Sequence, residues 1–129
     1  MTIVPIRDFL KTYGLFLVID IIYLGFIRGK DMRQYFAKFG GYHPKLWLYG
    51  GIAWSLLALG VEYFAVQNTR KMRGSKFNAL VKGAILGLVI YGVYDFTNMA
   101  TIKGWTMNFV IQDVAWGTAL CAAIAYIRR

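Results

Sequence analysis

Four long apolar stretches constrain the fold of this 129-residue chain more than any other feature. They run from Phe9 to Ile27, from Leu46 to Val66, from Ala79 to Ile102, and from Met107 to Ile127. Each has the roughly 20 residues that an α-helix needs to cross the hydrocarbon core of a bilayer. Exposed strands would leave their backbone amides unpaired in lipid, so we expect helices. The sequence therefore predicts an all-α integral membrane bundle of four transmembrane helices, in a single domain over residues 1–129.

The composition also indicates a bilayer as the main partner of the chain. Hydrophobic residues make up 58% of it, whereas a soluble domain contains about 45–50%. A chain this short has too little interior to hide the surplus from water. The single cysteine, Cys121, excludes an internal disulfide, and the single histidine, His43, argues against a multi-histidine zinc or haem site. We therefore expect no cofactor and no metal.

The charge of the chain is strongly basic, with fifteen Lys and Arg residues and a net charge of +9. These residues cluster between the apolar stretches, a pattern typical of membrane topology and not of nucleic-acid binding. If the helices alternate in direction, nine basic residues fall on the side of both termini and six on the other. The positive-inside rule then predicts cytoplasmic termini, with the plasma membrane as the default and organellar or virion membranes left open. We expect anionic lipids at the basic linkers.

Two features of the sequence are typical of segments at a membrane surface. After the first stretch, Met32, Tyr35, Phe36 and Phe39 are spaced as one face of a helix. This spacing predicts a short amphipathic surface helix, whose apolar face would contact lipid or, alternatively, dock a partner. Four aromatic residues lie near helix ends, where we expect an aromatic belt at the membrane surface: Trp47, Tyr49, Trp105 and Tyr126.

Four carboxylates lie inside the predicted spans, where a charge costs about 2.5–3.5 kcal/mol on insertion scales. They are Asp20, Glu62, Asp95 and Asp113. Glu62 and Lys82 lie at a similar depth near the same end of the second and third helices. We interpret them as a structural ion pair.

Asp95 and Asp113 are predicted to meet. Each lies nine residues from Gly104, in a turn so short that the third and fourth helices must be antiparallel neighbours. Asp20, near the middle of the first helix, lies at a nearby depth. Three acids at close range cannot all stay charged, so we expect at least one to hold a proton unless a cation is bound.

Small residues accompany these acids. Gly83, Gly87 and Asp95 share one face of the third helix with a tyrosine between them, and Gly117 shares a face with Asp113 on the fourth. Glycines allow two membrane helices to approach closely. The pattern predicts that both acids point into the bundle.

The run YGVYDFTNMATIKGW, residues 91–105, resembles the motif of a family of membrane proteins called domain-of-unknown-function family 2177. The resemblance continues through DVAWGT at 113–118, and Asp20 with Tyr23 and Leu24 is similar to the family's Asp-x-x-Trp-Leu, with Tyr23 where Trp is usual. It implies a four-helix membrane protein and supplies no activity. The family pattern singles out Asp20, Tyr94, Asp95, Thr97, Asn98, Lys103, Trp105, Asp113 and Trp116.

Three functions fit these observations. The leading hypothesis is a buried acidic site that binds or passes a proton, a cation, a polar solute or a lipid, in a chain that forms oligomers. Its candidate residues are Asp20, Tyr94, Asp95, Thr97, Asn98, Asp113 and Trp116. The alternative is a structural or assembly subunit of a membrane complex. The third is a lipid-modifying enzyme with paired aspartates as acid and base; no nucleophile–base pair accompanies them, so we assign no catalytic residue and favour a protein that is not an enzyme.

Overall fold

The computed structural model describes residues 4–129, whose regular secondary structure is entirely helical. Four helices in this part of the chain are long and apolar enough to cross a membrane. They are α1 (Ile6–Ile27), α3 (Leu46–Lys71), α4 (Lys76–Thr101) and α5 (Met107–Arg128). The short helix α2 (Gly29–Ala37) follows α1. The predicted all-α bundle with a short helix after the first span is confirmed.

The connection between α3 and α4 is shorter than the apolar stretches predict. Helix α3 continues to Lys71 and α4 begins at Lys76, which leaves only residues 72–75 between them. Ser75 caps α4, because its hydroxyl oxygen accepts from the Asn78 amide at 3.1 Å and its own amide donates to the Asn78 side chain at 2.8 Å. This reciprocal cap fixes the start of a helix before its apolar residues begin.

Two of the long helices contain a widened, π-helical segment. In α1 it spans Ile22–Ile27, directly after Asp20, and in α3 it spans Val61–Gln67 and contains Glu62. Such π-helical segments are rare in proteins overall, but those that occur are often found at functional sites. Each lies beside a buried carboxylate of the bundle.

Helices α4 and α5 pack closely through their glycines. A Cβ atom added at Gly83 would lie 2.5 Å from the carbonyl oxygen of Cys121, and one at Gly87 would lie 2.5 Å from that of Gly117. The ring of Tyr91 covers Gly117 itself. Gly83 and Gly87 therefore lie where the two backbones are too close for any side chain, and Gly117 lies where the Tyr91 ring leaves no room for one.

The apolar face of α2 packs against the protein itself. Met32, Tyr35 and Phe36 of α2, and Phe39 just after it, contact a cluster formed by Trp105, Phe109 and Val110. The ring of Tyr35 stacks on that of Phe109 with centroids 4.1 Å apart, and the Tyr35 hydroxyl accepts from the Thr106 amide at 2.9 Å. The face predicted to contact lipid or a partner is thus half-buried against the turn between α4 and α5 and the first turn of α5, through stacked aromatic rings and a bond from a turn amide.

The bundle has two distinct ends. Asp8 of α1 contacts Arg128 of α5 at 2.9 Å, so the first and last described helices meet beside the 72–75 turn, at what we call the termini end. Helix α2 and the turn between α4 and α5 form the opposite end, which we call the hairpin end. The cytoplasmic location of the termini end stays a prediction from the basic residues.

Candidate functional site: a buried acidic layer

Three helices each contribute one carboxylate to a layer in the half of the bundle nearer the hairpin end. We call Asp20 of α1, Asp95 of α4 and Asp113 of α5 the acidic layer. Asp20 is 3% exposed and Asp95 is fully buried. Since α1 buries Thr12, Phe16 and Asp20 at intervals of four residues, helical periodicity turns Asp20 to the interior.

Asp20 is held by two tryptophans from two other helices. Trp54 of α3 donates its indole N–H to Oδ2 at 2.8 Å, and Trp116 of α5 donates to Oδ1 at 2.8 Å. The ring of Tyr23 stacks on Trp116 with centroids 3.7 Å apart. Hydrogen bonds to a carboxylate are stronger than neutral ones. Asp20 therefore joins α1, α3 and α5 at one point.

Asp95 has a contrasting environment. Its carboxylate lies next to that of Asp113, yet within residues 4–129 neither of its oxygens has a hydrogen-bond partner. The indole of Trp105 lies beside it and is 6% exposed, and its N–H has no partner in the same part of the chain. Burying a carboxylate without hydrogen bonds is costly, and such a group is neutralised or paired instead. Asp95 is therefore the least satisfied polar side chain of the layer.

A small cavity lies beside Asp113 toward the hairpin end. Its volume is about 10 Å³, close to the smallest space that holds one water molecule. Tyr23, Arg28, Gln112 and Asp113 contribute its polar lining. Arg28 Nη1 donates to the Tyr23 hydroxyl at 3.4 Å, and Arg28 Nε lies 3.5 Å from a carboxylate oxygen of Asp31. A cation and a carboxylate thus share this cavity.

The remaining predicted site residues lie at the edge of the layer or outside it. Tyr94 is 46% exposed, with its ring 6.2 Å from that of Trp105, and Asn98 is half-buried one turn beyond Asp95. Thr97 is exposed, because two residues from Asp95 correspond to more than half a turn of the helix. The structure brings together Asp20, Asp95, Asp113 and Trp116 and leaves Thr97 on another face.

Sequence reasoning missed two contributors to the layer. Trp54 and Arg28 were not singled out, although an indole N–H inside a span needs an acceptor and a cation at the end of a span needs a partner. Of the four residues expected in the aromatic belt, Trp47, Tyr49 and Tyr126 are exposed. Trp105 is buried, because Phe36 of α2 and Phe39, two residues after that helix, pack over it with ring centroids 5.8 and 5.5 Å away.

The predicted ion pair between Glu62 and Lys82 does not form, and both residues have other partners. Glu62 accepts from Thr12 at 2.6 Å and lies 3.3 Å from the guanidinium of Arg128, while Lys82 donates to the Asn68 side chain at 2.6 Å. Two residues at a similar depth in the bundle can still point in different directions around their helix axes. Glu62 faces α1 and α5, whereas Lys82 reaches the last turn of α3.

The described residues contain no group of three or more His, Cys, Asp or Glu side chains arranged to hold a metal ion. The charged groups in and beside the acidic layer are two adjacent carboxylates, one carboxylate that accepts from two indoles, and an arginine.

Four membrane-length helices around a buried acidic layer define a small polytopic membrane protein. The chain belongs to the family described as predicted membrane protein (DUF2177), whose model matches residues 6–128. This match confirms the resemblance read from the motifs of α1, α4 and α5. No curated protein and no solved structure matches the chain significantly.

Proposed function

We propose that Asp95 and Asp113 bind and exchange a proton inside the membrane, as the proton site of a small transport protein. The observation that carries the proposal is the fully buried Asp95 carboxylate, which lies beside Asp113 and makes no hydrogen bond among residues 4–129.

One proton shared between Asp95 and Asp113 would make two adjacent buried carboxylates stable. Two adjacent carboxylates in a medium of low dielectric constant repel each other and do not both ionise. A protonated carboxyl has one O–H donor, which can bond to the neighbouring carboxylate. Such O–H···O⁻ bonds are short and strong. One proton thus supplies the donor that Asp95 lacks and removes the repulsion between the two acids.

The surroundings of the pair favour a proton over a metal ion. Calcium takes six to eight oxygen ligands, and magnesium demands six in octahedral geometry. Asp95 and Asp113 supply two carboxylates, and Asp20 already accepts from two indoles. Arg28 lines the cavity beside Asp113 and would repel a second cation.

The pair has unequal access to the two ends of the bundle. Toward the hairpin end, the water-sized cavity beside Asp113 offers a path for a proton. Toward the termini end, the buried side chains of Phe16, Leu120 and Ile124 belong to an apolar core. We infer that the proton exchanges with the hairpin end, which the basic residues predict to be non-cytoplasmic, and that complete passage requires this apolar core to open.

A structural role is the second candidate, and the two indole bonds of Asp20 favour it. Under this role the acidic layer fastens helices together in an assembly subunit. The proton site and the structural role predict different effects of Asp95→Asn, which replaces the acid by an amide of nearly the same shape.

The test is proton flux into lipid vesicles that contain the purified protein and an enclosed pH-sensitive dye. With a membrane potential as the driving force, the wild type is expected to acidify the vesicle interior faster than protein-free vesicles do. Asp95→Asn and Asp113→Asn are expected to reduce the rate of proton flux to that of protein-free vesicles. The amide side chain of asparagine neither gains nor loses a proton near neutral pH. Thr97→Val, on the exposed face of the same helix, is the matched control and should retain the wild-type rate.

Two results would contradict proton exchange at this pair. One is a folded Asp95→Asn protein that passes protons at the wild-type rate. The other is a wild type no faster than protein-free vesicles, combined with a loss of thermal stability in Asp95→Asn, which is the result that a structural role predicts.

A further inference from the structure

We propose a second binding site, independent of the acidic layer: a groove at the termini end that binds the headgroup of an anionic phospholipid. The groove has a volume of about 380 Å³ and is lined by Met72, Gly74, Asn78, Val81 and Lys82. We call it the basic groove. It lies between the 72–75 turn and the first two turns of α4.

The segment that forms the basic groove carries only basic charges. Residues 63–94 contain five basic residues and no Asp or Glu. One of these, Arg70, lies 3.6 Å from Asp8. Within the described part of the chain, Lys71, Arg73, Lys76 and Lys82 have no carboxylate within ion-pair distance. Each Lys or Arg near a membrane surface contributes about 1 kcal/mol to attraction for anionic lipid.

The lining of the basic groove combines a cationic side chain with an apolar surface, which match the headgroup and the acyl chains of an anionic phospholipid. Lys82 supplies a cation, and its bond of 2.6 Å to Asn68 holds the ammonium group in place. Met72 and Val81 supply apolar surface and are 70% and 37% exposed. Lys82 lies six residues into α4, about 9 Å from its start, so the groove reaches from the surface into the span. A lipid phosphate can contact Lys82 while its chains run along the apolar side.

Two basic residues of the hairpin end already have partners. Arg28 lies 3.5 Å from Asp31, and Lys38 donates to the carbonyl of Gly104 while its ammonium lies 4.4 Å from the centre of the Tyr35 ring. Lys45 is exposed and does not line the basic groove, so it provides a control with the same charge.

The test is native mass spectrometry of the full chain, released from mild detergent after addition of phosphatidylglycerol or phosphatidylcholine. The wild type is expected to retain phosphatidylglycerol in preference to phosphatidylcholine. Lys82→Gln should weaken retention roughly fivefold, the equivalent of about 1 kcal/mol, and Lys45→Gln should leave it unchanged. Val81→Trp, which keeps the charge and fills the groove, should also weaken retention.

Several outcomes would overturn the proposal. Equal losses in Lys82→Gln and Lys45→Gln would mean that only net charge attracts the lipid. Equal retention of the two lipids would exclude a site for an anionic headgroup. Displacement of the lipid by inorganic phosphate at comparable concentration would assign the groove to a free anion. None of these outcomes bears on proton exchange at Asp95 and Asp113.

Discussion

Replacing Arg128 by alanine is expected to lower the free energy of unfolding by about 3–5 kcal/mol, the usual effect of removing one partner from a buried ion pair. The Arg128 side chain is 10% exposed and lies 3.3 Å from the fully buried carboxylate of Glu62. It also contacts Asp8 at 2.9 Å and donates to the hydroxyl of Thr12 at 2.8 Å. Without it, Glu62 keeps only neutral donors, and α5 loses its polar contacts with Asp8 and Thr12 of α1.

The measurement is unfolding of the detergent-solubilised protein, followed by circular dichroism. Arg129→Ala is the matched control, because Arg129 makes a single bond of 2.9 Å to the carbonyl of Gly74, and we expect a change of about 1 kcal/mol. The double variant Glu62→Leu with Arg128→Leu should recover much of the loss, since no unpaired charge stays buried. Equal effects of Arg128→Ala and Arg129→Ala would show that the Glu62 pair does not fasten the termini end.

Two glycines of the same helix are expected to respond to alanine in opposite directions. At Gly87 the new methyl group would lie 2.5 Å from the carbonyl oxygen of Gly117, so α4 and α5 must separate, at a cost of about 1–3 kcal/mol. At Gly92 nothing lies within 4 Å of the same methyl group. There, alanine should stabilise the helix by roughly 0.5–1 kcal/mol, because glycine loses more conformational freedom on folding.

Thermal unfolding of Gly87→Ala and Gly92→Ala under the same conditions tests this contrast. The expected result is a lower midpoint for Gly87→Ala and a higher midpoint for Gly92→Ala. If Gly87→Ala unfolded at the wild-type temperature, the close approach of α4 and α5 at Gly117 would be contradicted.

The sequence was sufficient for features that depend on position along a helix. Span length predicted four helices, because the bilayer sets that length. The equal spacing of Asp95 and Asp113 from Gly104 predicted their meeting, because a short turn makes two helices antiparallel. The interval of four residues between Gly83 and Gly87 indicated a contact face, and the structure has α5 against that face.

Features that depend on direction around a helix could not be predicted in the same way. The pairing of Glu62 with Arg128 and not Lys82 depends on how α3 is rotated, which its nearly uniform apolar sequence does not specify. The bond from Trp54 to Asp20 joins residues 34 positions apart on helices whose relative rotation was unknown. The packing of α2 on the turn between α4 and α5 likewise required the tertiary arrangement, since its aromatic face suits lipid equally well.

Infrared difference spectroscopy of the reconstituted protein tests most directly whether Asp95 and Asp113 share a proton. At neutral pH the wild type is expected to show the C=O stretch of a protonated carboxylic acid, shifted by exchange into heavy water. The double variant Asp95→Asn with Asp113→Asn should lack this band, and Asp31→Asn, which removes an exposed carboxylate at the hairpin end, should retain it. A wild-type spectrum without a protonated carboxyl, or a double variant that keeps the band, would contradict the shared proton.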